Sequence, residues 1–173
     1  MDDKVLVTGK IIFEPEDVTK KHETQSSWKH IAMVFIDGEI TEYYSWFLKK
    51  RYNLILNKPL RGAHVSFIND NFRDMSLNGQ RNYYDVKKIW NIVKNKWDGI
   101  NVPLMLDLNP RTNSKHWWLN VHKDYRGTLH NIRNELGLGK PFYGLHMSIG
   151  YVNEKNISHS EYLHELVKSG LIE

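Results

Sequence analysis

Hydrophobic and polar residues alternate along several short stretches of this chain, while other stretches repeat hydrophobic residues at helical spacing. Alternation predicts strands, and recurrence at every third or fourth residue predicts amphipathic helices. The predicted strands are residues 5–13, 28–36, 61–70, 102–108, 116–122 and 141–153. The predicted helices are residues 39–56, 82–97, 125–136 and 158–170, the last with Ser158 as its N-cap. This order predicts an α+β fold in which each sheet buries one face under helices and leaves the other partly open.

Two neighbouring tryptophans fall on opposite faces of the predicted strand 116–122. Successive side chains of a strand point to opposite faces, so Trp117 lies with Leu119 and Val121 on the side that we expect to be packed. Trp118 then lies among polar neighbours and is a candidate for stacking on a nucleobase. Packing of Trp118 under a loop is the alternative interpretation.

The length of 173 residues suits a single domain that spans positions 1–173, because it buries one core and is short for two. No stretch approaches the ~18 consecutive apolar residues of a membrane span, and the amino-terminal residues lack the apolar run of a signal peptide. Cysteine is absent, which excludes disulfides, thiolate nucleophiles and cysteine zinc sites. We therefore expect a cytoplasmic protein.

The net charge of +4 includes short basic runs at residues 20–21, 49–51 and 87–88. Such runs favour anionic ligands through electrostatic steering, and solvated surface is an equally good interpretation. The six tryptophans and nine tyrosines permit a base-stacking surface, although aromatic residues mostly fill cores. Composition thus permits a nucleotide ligand without requiring one.

Two stretches in different halves of the chain share one layout, in which a histidine and a serine are separated by one apolar residue. They are "AHVSFI" at residues 63–68 and "LHMSIG" at residues 145–150, which place His64 and His146 82 positions apart. A chain of this composition contains about one His-x-Ser/Thr match by chance. The "HET" at His22 is such a match in a polar loop, whereas the other two lie on predicted apolar strands. On each strand the histidine and the serine share a face.

The four polar side chains of these motifs suit phosphodiester cleavage. That reaction removes a proton from the attacking oxygen and gives a proton to the leaving oxygen, and histidine, with an ordinary pKa of about 6.5, does either. We therefore assign His64 and His146 as the catalytic base and acid, in an order that remains open. The hydroxyls of Ser66 and Ser148 are assigned as phosphate-binding donors. This mechanism requires no metal and no cofactor. The alternative is that each histidine is a hydrogen-bonded core residue.

Paired His-x-Ser/Thr strands, one in each half of a small α+β domain, resemble the 2H phosphoesterase superfamily, and the resemblance covers most of the chain. It implies a two-lobed fold, with pseudo-symmetric antiparallel sheets that line a central groove and helices outside. It also implies that both histidines and both hydroxyl residues line that groove. Serine stands at Ser66 and Ser148 where the superfamily more commonly has threonine, and either residue supplies a hydroxyl donor.

The superfamily includes bacterial and archaeal RNA 2′,3′-cyclic phosphodiesterases, viral enzymes that destroy 2′-5′ oligoadenylate, and phage anti-CBASS enzymes that destroy cyclic oligonucleotide signals. The polar-facing Trp118 and the modest net charge favour a cyclic or short oligonucleotide over duplex RNA. We therefore expect cleavage of 3′-5′ or 2′-5′ bonds in such signals, as in phage counter-defence, and in the host cytoplasm if a phage encodes the protein. We expect a monomer or small homo-oligomer that binds no membrane. Cleavage of 2′,3′-cyclic phosphates at RNA ends is one alternative. A non-catalytic module that binds RNA or a nucleotide is the other.

Two further histidines, His116 and His122, share a face of the predicted strand 116–122. Their spacing is too long for a strand-borne pair of metal ligands, and no carboxylate motif accompanies them. We therefore predict no metal site.

Overall fold

The computed structural model describes residues 3–15, 30–59, 61–68, 83–124, 126–141, 144–152, 166–168 and 170, with the side chains of residues 83–87 excepted. Eight strands lie in these ranges: β1 (Lys4–Phe13), β2 (Ala32–Phe35), β3 (Leu56–Asn57), β4 (His64–Ile68), β5 (Asn101–Asp107), β6 (Arg111–Thr112), β7 (His116–Asp124) and β8 (His146–Val152). The helices are α1 (Glu39–Tyr52), α2 (Tyr83–Trp97) and α3 (Thr128–Glu135). Among the described residues, no helix is both long and apolar enough to cross a membrane.

All eight strands belong to one antiparallel sheet, in the order β3-β8-β4-β2-β1-β5-β7-β6, and β8 pairs with β7 as well. Six strands are therefore hydrogen-bonded in a ring, β8-β4-β2-β1-β5-β7, and the fold is α+β with a closed antiparallel barrel. The pairs β1–β5 and β4–β8 join the two halves of the chain, so the strands form one sheet where separate sheets were predicted. Closure gives the strands of the ring a partner on each side, which alternation along one strand cannot reveal.

One face of the sheet packs against the helices and forms the main hydrophobic core. The strands supply one side of this core through alternate residues, and the three helices supply the other side. Buried members include Ile11, Val34, Val65, Leu104, Trp117 and Met147 from the strands, and Leu48, Trp90, Leu129 and Ile132 from the helices. The face of β7 that was predicted to be packed is the one that lies against the core, so this part of the prediction is confirmed.

The first helix is shorter than predicted, and an unpredicted strand follows it. α1 ends at Tyr52 because Asn53 adopts the left-handed conformation, with φ of 55°, and caps the last turn with its backbone N–H. β3 then pairs with the end of β8. Gly150 of β8 permits the close approach, since a Cβ there would lie 2.6 Å from the carbonyl oxygen of Asn57. The hydrophobic period of the helix continues past its end, so periodicity alone overestimated its length.

The remaining boundaries differ by smaller amounts. The predicted strand 28–36 is observed as β2, and its first two residues lie outside the described ranges. The predicted turn between β5 and β7 contains the short strand β6. Of the predicted helix 158–170, residues 166–168 are helical, whereas Ser158 lies outside the described residues, as does nearly all of the polar loop 14–27.

Candidate active site

β4 and β8 bring the two His-x-Ser motifs side by side. The strands are antiparallel, and Val65 of one motif pairs with Met147 of the other. Both residues are fully buried in the main core (0% exposed), so the histidine and serine that flank each of them lie on the opposite face of the sheet. We call this the motif face, and its central residues are His64, Ser66, His146 and Ser148. An approximate twofold axis through the Val65–Met147 pair relates the two motifs.

The register determines how the four polar side chains face one another. His64 lies across from Ser148, and the same antiparallel pairing places Ser66 across from His146. Residues directly opposite have Cβ atoms ~4.5–5.5 Å apart, and diagonal residues such as the two histidines are ~7–8 Å apart. A phosphate with a hydrogen bond on each side spans ~5–8 Å. The register therefore places the two imidazoles as diagonal neighbours on one face, within reach of one small ligand.

Both imidazole rings are oriented by the same backbone contact. Nδ1 of His64 lies 2.9 Å from the carbonyl oxygen of Gly62, and Nδ1 of His146 lies 2.8 Å from that of Gly144. A carbonyl only accepts, so Nδ1 donates in each ring, and in the neutral ring Nε2 carries the lone pair. Gly62 has φ of 69°, a conformation that favours glycine over other residues. The two motifs thus share a glycine two residues before the histidine. These glycines lie outside the stretches 63–68 and 145–150 that the sequence comparison paired.

The exposure of the motif histidines distinguishes them from a core histidine. His64 and His146 are half-buried, as are Ser66 and Ser148. His30, in contrast, is 3% exposed, and its ring lies 5.2 Å from that of Trp90. The chain therefore contains a histidine of the core type, and it lies outside both motifs. The two motif histidines lie on the face opposite the one against which α1, α2 and α3 pack.

Neighbouring strands extend the motif face into two rows of side chains. Each row follows the pairing from strand to strand, so its members are separated by about one inter-strand distance, ~4.8 Å. The first row consists of Arg111, Trp118, Ser148, His64, Phe35 and Lys10, on β6, β7, β8, β4, β2 and β1. The second row consists of Asn120, His146, Ser66, Met33 and Ile12. The motif residues occupy the centre of both rows. In the first row, aromatic side chains lie on each side of them and cations lie at the ends.

The two tryptophans of β7 take the faces that alternation predicted. Trp117 is fully buried in the main core, whereas Trp118 is half-buried on the motif face. The Trp118 ring lies 6.3 Å from the ring of His146, at 64° between planes, and its Nε1–H donates to Oδ1 of Asn120 at 3.0 Å. That hydrogen bond holds the indole beside the histidine. Because Oδ1 of Asn120 accepts this bond, the NH₂ group of Asn120 points away from the indole nitrogen. In that orientation the NH₂ group can donate to a ligand.

Several residues of the motif face were absent from the predicted site, among them Arg111, Phe35 and Lys10 of the first row. Phe35 lies across from His64, with ring centroids 6.3 Å apart, and the guanidinium of Arg61 lies 4.8 Å above the Phe35 ring. Alternation assigns each of these residues to one face of its own strand. It does not indicate which strand lies alongside, and that information comes only from the pairing.

The predicted absence of a metal site concerned His116 and His122. His116 lies beside Tyr151, with ring centroids 6.3 Å apart, and partial burial together with the charge of Lys115 lowers the pKa of His116 below its ordinary value. Both effects favour the neutral form of this ring. Among the described residues, no group of three or more His, Asp or Glu side chains is placed to hold a metal ion.

Comparisons with known proteins leave the functional argument to this geometry. The chain matches no protein-family model, no curated protein and no solved structure.

Proposed function

We propose that this protein is a metal-independent phosphodiesterase of the 2H type that cleaves phosphodiester bonds in cyclic or short oligonucleotides. The observation that carries the proposal is the paired arrangement of the two motifs around Val65 and Met147. Each motif has the same side chains on the same face and the same contact from Nδ1 to a glycine carbonyl. The two-lobed interpretation of the fold belongs to this proposal, with the approximate twofold axis between the lobes.

The two histidines divide the proton transfers of the reaction. Nε2 of one ring, His64 or His146, removes the proton from the attacking hydroxyl, which is water or a ribose hydroxyl, while the bond from that oxygen to phosphorus forms. The bond from phosphorus to the leaving oxygen breaks, and the other ring, protonated at the start, gives its proton to that oxygen. Protons and charge balance within one step. The diagonal placement of the rings lets them act on opposite sides of one phosphate.

The serine hydroxyls act on the charge that develops at the nonbridging oxygens. Ser66 and Ser148 lie on the motif face, each across from the histidine of the other motif. Donors that are already in position stabilise such charge without reorganisation. Trp118 lies one strand away from Ser148, where its ring can stack on a nucleobase attached to the phosphate.

The rings of His64 and His146 have the same orientation toward a glycine carbonyl. This match favours an enzyme over a binding module of the same fold. A pocket that only holds a phosphate gains as much from lysine or arginine and needs no pair of rings with fixed tautomers. Turnover decides between them. Incubation with a panel of cyclic di- and trinucleotides and of nucleoside 2′,3′-cyclic phosphates, resolved by chromatography, should give cleaved products, whereas binding without cleavage would support the module.

The serines provide a graded test. We expect Ser66→Ala and Ser148→Ala each to lower kcat about 30- to 1,000-fold, because each removes one transition-state donor worth ~2–4 kcal/mol. Steady-state kinetics measure this loss. Ser45→Ala on α1 is the matched control and should retain normal kcat. Losses no larger than that of the control would show that these hydroxyls do not contact the phosphate.

The dependence on metal and pH provides a second test. We expect undiminished turnover in excess chelator, because the two rings carry both proton transfers. The rate should fall at low pH, where the base becomes protonated, and at high pH, where the acid loses its proton, giving a bell-shaped profile. A rate that disappears in chelator and returns with a divalent cation would contradict the mechanism.

A further inference from the structure

A pocket beside the motif face has no part in the mechanism above. It is open to solvent, has a volume of about 600 Å³ and is lined by Phe35 together with the basic residues Lys10, Arg61 and Lys94. Small-ligand sites occupy ~300–1,000 Å³, so the pocket is large enough for part of a nucleotide. Phe35 lies between this pocket and His64 and belongs to the surroundings of both.

The pocket lies at a defined distance from the catalytic pair. His64 pairs with Phe35 across β4 and β2, and Phe35 pairs with Lys10 across β2 and β1. Lys10 is therefore two strands from His64, or ~10 Å between backbones. Arg61 approaches from the segment before β4 and places its guanidinium 4.8 Å above the Phe35 ring. Both cations thus lie on the β2 side of the phosphate position.

Cationic and acidic side chains both line the described part of the pocket. Lys10, Arg61 and Lys94 face two acidic residues, Glu14 and Asp98. Lys94 donates to Glu14 at 2.7 Å, and although burial raises the pKa of Glu14, this hydrogen bond and one from the backbone N–H of His30 bring it below its ordinary value.

The second acidic residue of the pocket is held by the backbone. Asp98 accepts the backbone N–H of Phe13 at 2.8 Å. Lys94 and Glu14 form an ion pair at 2.7 Å, and Lys10 and Arg61 are the other two cations among the described residues that line the pocket.

We propose that Lys10 and Arg61 form a second phosphate subsite, which binds the phosphate of the nucleotide next to the bond that is cleaved. The inference rests on the proposed function and narrows its substrate. A nucleoside 2′,3′-cyclic phosphate carries a single phosphate and leaves this subsite empty. A cyclic dinucleotide, or a linear oligonucleotide with two phosphates, fills both positions, so the substrate class is one with at least two phosphates.

Binding of matched dinucleotides tests the subsite. The ligands are ApA, which has one phosphodiester, and pApA and ApAp, which add one terminal phosphate at either end. Calorimetry is done with protein that carries His64→Ala and His146→Ala, so that no ligand is cleaved. We expect one or both phosphorylated ligands to bind about tenfold more tightly than ApA, the increment of a charge-assisted hydrogen bond.

Substitution of Lys10 or Arg61 tests whether these cations provide the gain in affinity over ApA. We expect Lys10→Gln and Arg61→Gln each to reduce it to threefold or less while leaving the affinity for ApA within a factor of about two. Lys50→Gln on α1 removes the same charge elsewhere and should leave the increment at tenfold. Thermal melts confirm that each variant is folded.

The outcomes separate this inference from the proposed function. Equal affinity for all three ligands, or an increment that survives both substitutions, overturns the subsite even if the wild-type protein cleaves phosphodiesters. Failure of all three ligands to bind also overturns it. The proposed function fails on a different measurement, namely when the wild-type protein cleaves none of the nucleotides in the panel.

Discussion

His64→Ala and His146→Ala should each lower turnover of a cyclic dinucleotide by about 100- to 10,000-fold, the contribution of general acid or base catalysis. Each substitution removes one of the two proton transfers, and the partner ring lies too far away to carry out both. The fold should survive, because the two rings are half-buried on the face opposite the core. Initial rates with purified variants measure the first effect, and circular dichroism with thermal melts measures the second.

A histidine outside the motifs is the control for these variants. His130 lies on α3, where its Nδ1 is 3.0 Å from Oδ2 of Asp124 at the surface. His130→Ala should keep normal turnover, since it removes an imidazole without changing the motif face. Near-normal turnover in either motif variant would refute the two-histidine mechanism, because one ring would then suffice.

The adjacent tryptophans of β7 should respond to truncation in opposite ways. Trp117 is fully buried, and its ring lies 5.9 Å from that of Tyr52 on α1. Trp117→Ala should therefore lower the free energy of unfolding by about 3–5 kcal/mol through lost burial and a cavity. Trp118 is half-buried on the motif face, so Trp118→Ala should leave the free energy of unfolding nearly unchanged.

Trp118→Ala should instead weaken the binding of the substrate. If a nucleobase stacks on Trp118, its removal costs ~1–3 kcal/mol of binding, so KM should rise about 5- to 150-fold. Urea unfolding and steady-state kinetics on both variants measure the contrast, and each variant is the control for the other. Equal losses of stability, or an unchanged KM for Trp118→Ala, would show that the two faces do not have these separate roles.

Alternation along single strands was sufficient to predict much of the candidate site. It placed His64 with Ser66, His146 with Ser148, and Trp118 apart from its neighbour, and the structure shows each of these arrangements. The face of a side chain depends only on the position of the residue within its own strand, so a short stretch of sequence contains the information. The catalytic and binding roles remain predictions.

The end of α1 shows where local reasoning failed. Hydrophobic spacing continued to residue 56, but the left-handed Asn53 ends the helix, and the residues that follow pair with β8. Leu56 and Asn57 could either extend the helix or pair with β8, and they pair with β8. Only the position of β8 decided that competition, and β8 lies almost a hundred residues further along the chain.

The sequence by itself determined six of the eight described strands, most of the helices, the buried face of β7 and the two His-x-Ser motifs, because these depend on residues close together in the chain. Only the tertiary structure decided that Val65 pairs with Met147, that one sheet closes into a ring, and that Lys10 lies in the same row as His64. Register depends on which distant strands pair, and a slip of one residue would turn a strand's polar face toward the core. The burial of one face of the sheet against the helices selects one register, and that register brings the two histidines together.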